Sequence, residues 1–146
     1  MAFEEGPYIQ VAAFCEQVIE EKTGVLSLIR LIDVLTHTAT GPEVPPEMPP
    51  LLHGLKLVLM LKSGKARGRH EVRIVPELPS GETKEPIVLS VHFEGDGRGT
   101  NVIVEINFNF TLEGLYWFKI YLGEALLTRM PFQVKYSRVV TGRRLL

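Results

Sequence analysis

A single cysteine, Cys15, stands in the 146 residues of this chain, so no disulfide can close within it and no cysteine-based zinc cage can be assembled. That scarcity fits a reducing cytoplasm, with Cys15 as a small buried hydrophobe. No apolar run approaches the length of a membrane span, and the opening "MAFEEGPYIQ" is acidic where a secretory leader carries positive charge, which points to a soluble, unexported protein. An excess of one charge is missing too. Sixteen Lys and Arg against 17 Asp and Glu leave a net charge of -1, so no global field draws the chain to nucleic acid or anionic lipid.

Catalytic equipment is equally scarce. His37, His53, His70 and His92 lack ligand spacing such as His-Glu-x-x-His, and scattered histidines ordinarily do structural work. There is no Ser-x-Gly nucleophile elbow, no catalytic cysteine setting and no carboxylate pair that can be placed on one site. The glycine-rich "EGDGRG" precedes a strand pattern and lacks Lys-Ser/Thr, so it reads as a turn around Asp96. A calcium site there would need carboxylates beyond Glu94. No enzyme can be argued on these residues, and no cofactor or metal is expected.

What is present is period-two alternation, the mark of strands half buried on a common core. Val102, Val104, Ile106, Phe108, Phe110 and Leu112 alternate with Asn101, Glu105, Asn107, Asn109 and Thr111. Ile87, Leu89, Val91 and Phe93 form a second stripe, Leu55, Leu57, Leu59 and Leu61 a third, and Val72 and Ile74 a shorter one closing near Pro76. Tyr116, Phe118, Ile120 and Leu122 share a face, as do Leu126, Met130, Phe132, Val134 and Tyr136. Matching those two parities across a hairpin predicts a three-residue turn at Gly123, with Pro131 at a bulge, an edge or a change of sheet.

The first forty residues also carry helical spacing, at Val11, Phe14 and Val18. A hairpin turning at "EKTG" is preferred, because helices would need a separate face to cover; a bulge is expected near Arg30. Residues 36–53 hold five of the ten prolines and predict a stiff crossover between sheets, its Pro-x-x-Pro spacings being a poor case for a proline ligand. The expected whole is one domain over 1–146, ordered over 8–136 with a loose tail at 137–146. Its fold is an immunoglobulin-like sandwich of two antiparallel sheets and about eight strands.

"LEGLY" ahead of an alternating strand matches a tyrosine corner, with Tyr116 bonding upstream backbone and Gly114 permitting the close approach. On the opposite face Leu115, Trp117 and Tyr121 form an aromatic patch. Arg129 is within reach of Trp117, so this set is a candidate protein interface or a self-contained stack. Lys62, Lys65, Arg67, Arg69 and Arg73 form a local basic stretch.

"FCEQVIEEKTGVLSLIRLIDVLT" together with "EGLYWFKIYLGEALLTRMPFQV" resembles a bacterial family of small uncharacterised domains, over most of residues 8–136. The resemblance implies a β-sandwich whose first block is a hairpin, and a small residue where this chain has Arg30. It implies no chemistry. A non-catalytic cytoplasmic interaction or assembly module, joining copies of itself or another protein, is the leading expectation. The alternatives are a small enzyme or ligand-binding sandwich where His70, His92 and Asp96 converge, and a nucleic-acid binder using residues 62–73.

Overall fold

Alternating burial is what the chain does with those stripes. The computed structural model describes residues 5–142. Among them run nine strands and no helix: β1 (Tyr8–Glu20), β2 (Leu26–Leu31), β3 (Val34–Gly41), β4 (Leu51–Lys62), β5 (Gly68–Glu77), β6 (Ile87–Phe93), β7 (Gly99–Phe110), β8 (Gly114–Leu122) and β9 (Ala125–Val140). They form a four-stranded sheet in the order β2-β1-β4-β7 and a five-stranded sheet in the order β3-β9-β8-β5-β6. The chain changes sheet between β2 and β3, β3 and β4, β4 and β5, β6 and β7, and β7 and β8, the crossed connectivity of an immunoglobulin-like sandwich. All pairs are antiparallel except β3 with β9, which is parallel, so the second sheet is mixed and not antiparallel throughout.

The predicted stripes meet in the gap between the sheets. Leu55, Leu57, Leu59 and Leu61 of β4 and Val72 and Ile74 of β5 are almost wholly enclosed, with Phe93, Phe110, Tyr116, Phe118, Ile120 and Phe132. Aromatic rings tie the layers together. Phe14 of β1 lies edge-on to Phe118 at 4.9 Å and to Phe132 at 5.3 Å, while Phe110 of β7 stacks on Phe132 at 5.4 Å.

The start of the chain is a hairpin, as the lack of a face for a helix requires. Glu20 pairs Leu26, the turn closes through Gly24 N–H to the Glu21 carbonyl, and Gly24 takes φ 86°. Arg30 keeps the register but sits at φ 58°, a left-handed position that suits small residues. No residue is inserted there, so the expected bulge is a twist of one residue.

Three expectations are corrected. The crossover occupies 42–50 and not 36–53, because Val34–Gly41 forms β3 against β9 and β4 begins at Leu51; this extra edge strand brings the number to nine. Within the crossover Met48 is buried in the core, and Tyr136 and Arg138 donate to the Pro45 and Val44 carbonyls at 2.8 and 3.0 Å, which pins the proline run to β9. The hairpin between β8 and β9 turns through two residues. Leu122 pairs Ala125, Gly123 takes φ 57° at the first central position, and the odd residue appears one step later as a bulge, with Ile120 opposite Thr128 and Tyr121 opposite Leu126. Leu127 is thereby the residue that packs on the core, and Leu126 is exposed. Finally, residues 137–140, expected to be loose, continue β9 alongside β3, and Thr141 N–H reaches the Gly41 carbonyl. Residues 143–146 of that tail lie outside the described residues.

The tyrosine corner forms as predicted. Tyr116 is fully enclosed, its hydroxyl donates to the Leu112 carbonyl at 2.6 Å and accepts from the Leu112 N–H at 3.0 Å. Gly114, at φ 132°, lies where a Cβ would come within 2.9 Å of the Pro79 ring. Tyr116→Phe removes both bonds and leaves two backbone groups without that partner. It is expected to lower stability by about 1–2 kcal/mol, read as a lower denaturant midpoint at unchanged slope.

Candidate interaction surfaces

The outer face of the five-stranded sheet carries the residues that the sequence nominated, and the chain has largely engaged them itself. Cross-strand pairing puts Tyr121 opposite Arg73, Lys119 opposite Val75 and Trp117 opposite Glu77. The Arg129 guanidinium lies over the Trp117 ring at 4.5 Å, diagonal to it in the ladder, and Arg73 lies over Tyr121 at 4.8 Å. Between them Lys119 reaches Glu77 at 3.2 Å with both side chains largely shielded. Cations cap the two rings, and Leu115 and Leu126 on β8 and β9 and Val88 and Val34 on the flanking strands are left as exposed large hydrophobics on this face.

The polar candidates do not converge. His70 turns towards the core edge, its ring 5.2 Å from Phe93, whereas His92 is exposed and pairs Arg69 on the opposite face of the same sheet. Asp96, at φ 56°, bonds Arg67 at 3.2 Å, and Glu94 bonds Arg98 at 2.8 Å, so both loop carboxylates are held by arginines. No group of three His, Cys, Asp or Glu side chains gathers among the described residues. The basic stretch is divided as well: Arg69 and Arg73 belong to β5, Lys62 to β4 in the other sheet, and Lys65 and Arg67 to the loop between them.

The outer face of the four-stranded sheet holds a second apolar layer that alternation alone does not announce. Val58 is fully buried there, between Ala13 of β1 and Ile103 of β7, and Cys15 is fully buried beside Leu31 and Lys56. Burial pushes the Cys15 thiol pKa up, partly offset by the Lys56 ammonium.

Besides the outer edges of β7 and β6, no strand among the described residues covers the flank where β2 leaves this sheet to become β3. Beside it an apolar cleft of about 380 Å³ opens between β1 and β9, lined by Ala12, Phe14, Ile32 and Met130 with Asp33 and Arg129 on its lining. β1 pairs β4 over Tyr8–Cys15 and β2 over Cys15–Glu20, so its two ends have different neighbours. Beyond Cys15 the β1–β2 ribbon has parted from β4. Ile19, Ile29 and Leu31 are exposed on one side of that ribbon, and Val18, Leu26 and Leu28 on the other are half-buried and outside the core cluster. Sequence reasoning placed this hairpin but not its departure from β4, since its residues look like ordinary strand residues; the signal is where two pairings stop.

A β-sandwich of crossed, immunoglobulin-like connectivity, with its catalytic residue types dispersed among the described residues, is the class of protein these features define. The chain belongs to the family of unknown function DUF6941, whose model matches residues 10–135, in keeping with the resemblance to uncharacterised domains. No curated protein matches the sequence. Among solved structures, the alkylpurine DNA glycosylase AlkC of Pseudomonas fluorescens, bound to DNA containing an abasic site analog, is similar at 10% identity with a TM-score of 0.54. The match covers 90% of this chain and 31% of that one. A β-glucosidase of Listeria innocua in complex with glucose is similar at 11% identity and TM-score 0.49, over 86% of this chain and 16% of the other. An immunoglobulin-like protein of Pseudomonas aeruginosa follows at 14% identity and TM-score 0.43, over 90% and 98%. The chain thus spans a third or less of the first two, and the likeness to the glycosylase is one of fold alone.

Trp117 is the sole tryptophan, so its emission reports directly on the capped ring. Arg129→Ala is expected to shift that emission to the red and to cost about 0.5–1 kcal/mol, measured by fluorescence-monitored denaturation. Native Cys15 is expected to react with a thiol reagent at pH 8 more than roughly tenfold slower than the unfolded chain, since reaction needs both exposure and thiolate.

Proposed function

We propose that this protein is a non-catalytic interaction and assembly module of the bacterial cytoplasm. The observation that carries the reading is the β1–β2 ribbon, which shows apolar side chains on both sides and rests on no second layer of the core cluster. A two-stranded ribbon is marginal by itself, and apolar surface of this kind is normally covered by a partner. The exposed Leu31 and Ile29 are its centre. Leu115, Trp117, Tyr121 and Arg129 make a subsidiary contact surface, because the cation-capped rings leave Leu115 as their main apolar contribution.

A lone buried cysteine supports the cytoplasmic assignment. The dispersal of His70, His92 and Asp96 weighs against a loop-built catalytic or ligand site, and the division of the basic stretch between two sheets and a loop weighs against a nucleic-acid groove. The test is association of the full chain, with itself by light scattering and with host proteins by quantitative capture, for wild type and for Ile29→Arg/Leu31→Arg. Association lost in the double variant at an unchanged melting temperature is the expected result. Identical behaviour of the two proteins in both assays would discard the reading.

A further inference from the structure

Two strands border the uncovered flank, and they differ in one respect. The Gln133 N–H of β9 donates to the Asp33 carbonyl on that side, so the alternation of the ladder turns Pro131, two residues earlier, the same way. Its missing N–H therefore falls on the open edge, where proline blunts strand addition. On β1 the Phe14 carbonyl accepts the Ile32 N–H, and by the same alternation Ala12 presents its N–H and carbonyl to the flank. Among the described residues no strand pairs with β1 on this side over residues 8–13, where its own side chains include no proline and no charge.

We infer that this edge is a self-pairing site, at which β1 of a second copy adds antiparallel across a two-fold axis; this rests on the assembly reading above. Two-fold pairing sets a segment against itself, and an uncharged segment brings no like charges together across the seam. Residues 8–14, "YIQVAAF", meet that condition. The overlap can extend no further than Ala13, because the Phe14 carbonyl is already bonded to the Ile32 N–H and β2 occupies the same edge from Cys15 onwards. The second copy's ribbon then runs on past the end of the sandwich where Tyr8 pairs Lys62.

The charges agree with that geometry. The ribbon carries Glu16, Glu20 and Glu21, while the end it passes carries Lys62 and Lys65, the latter bonded through its N–H to the Glu5 carbonyl. Glu20, Glu21, Lys62 and Lys65 have no ion pair among the described residues. Pairing thus gives the basic stretch an acidic counterpart from the other copy, brings the exposed Leu31 of each copy beside the seam, and faces the two apolar clefts towards one another.

Sedimentation velocity of the full chain from 1 to 100 µM tests this (about the range in which specific association is read). The expected species is a dimer whose dissociation constant rises several-fold between 50 and 500 mM salt, as unscreened charge pairs require. Ala12→Pro is expected to raise it at least about tenfold; Ala12 lines the cleft, which has room for the ring. Lys62→Glu/Lys65→Glu weakens the dimer, and adding Glu16→Lys and Glu20→Lys to the same chain restores it, an outcome that misfolding cannot mimic. A wild-type monomer throughout, or a dimer indifferent to Ala12→Pro in a variant with native circular dichroism, overturns the proposal. A monomer that still loses a host partner in Ile29→Arg/Leu31→Arg overturns self-pairing alone, whereas a chain that associates with nothing overturns both readings.

Discussion

Water has to be kept out of the gap between two sheets, and in this chain that gap is filled by every second side chain of β4, β5 and β8. Because the period of a strand is two, a single inserted residue would turn the rest of a stripe to solvent. The chain absorbs such residues where they do least harm. One insertion lies between Ile9 and Val11 near the start of β1, the other at Leu127 near the start of β9, and between them the stripes run in phase. The tyrosine corner belongs to the same economy, for it gives the polar tip of a fully enclosed ring two backbone partners within four residues.

How much of this could be read from residues alone follows from the same rule. β4 to β9 were legible because Leu55–Leu61, Ile87–Phe93, Val102–Phe110 and Tyr116–Leu122 repeat at the strand period. β3 was not, since "THTAT" alternates small polar residues with His37 and Ala39 and is followed at once by prolines; its order comes from pairing with β9, a partner about a hundred positions away. The hairpin turn was misjudged because parity demands one odd residue without saying whether it sits in the turn or beside it. Gly123 allows the tighter turn, and the bulge takes up the difference. Arg30 illustrates a third kind of limit: its left-handed backbone is visible only in the fold, although the expectation of a small residue there pointed to it.

The candidate surfaces divide along similar lines. Trp117 and Tyr121 were conspicuous by residue type, yet Arg129 and Arg73 lie over them and the Lys119–Glu77 pair sits between, so conspicuous rings became part of the fold's own surface. The β1 flank was invisible by residue type, because an open edge is a property of where neighbouring strands end. Ala12 is as plain a residue as the chain contains, and its position between two incomplete pairings is what gives it consequence.

The parallel union of β3 with β9 also bears on how the chain reaches this state. Residues 34–41 find their hydrogen-bonding neighbour only in residues 133–140, and the crossover that follows β3 is pinned by Tyr136 and Arg138 of the same late strand. During synthesis residues 34–41 therefore wait, with one margin unsealed, until residues 133–140 have been made. High contact order of this sort slows folding, and a nascent chain in that interval is the form most in need of chaperone protection.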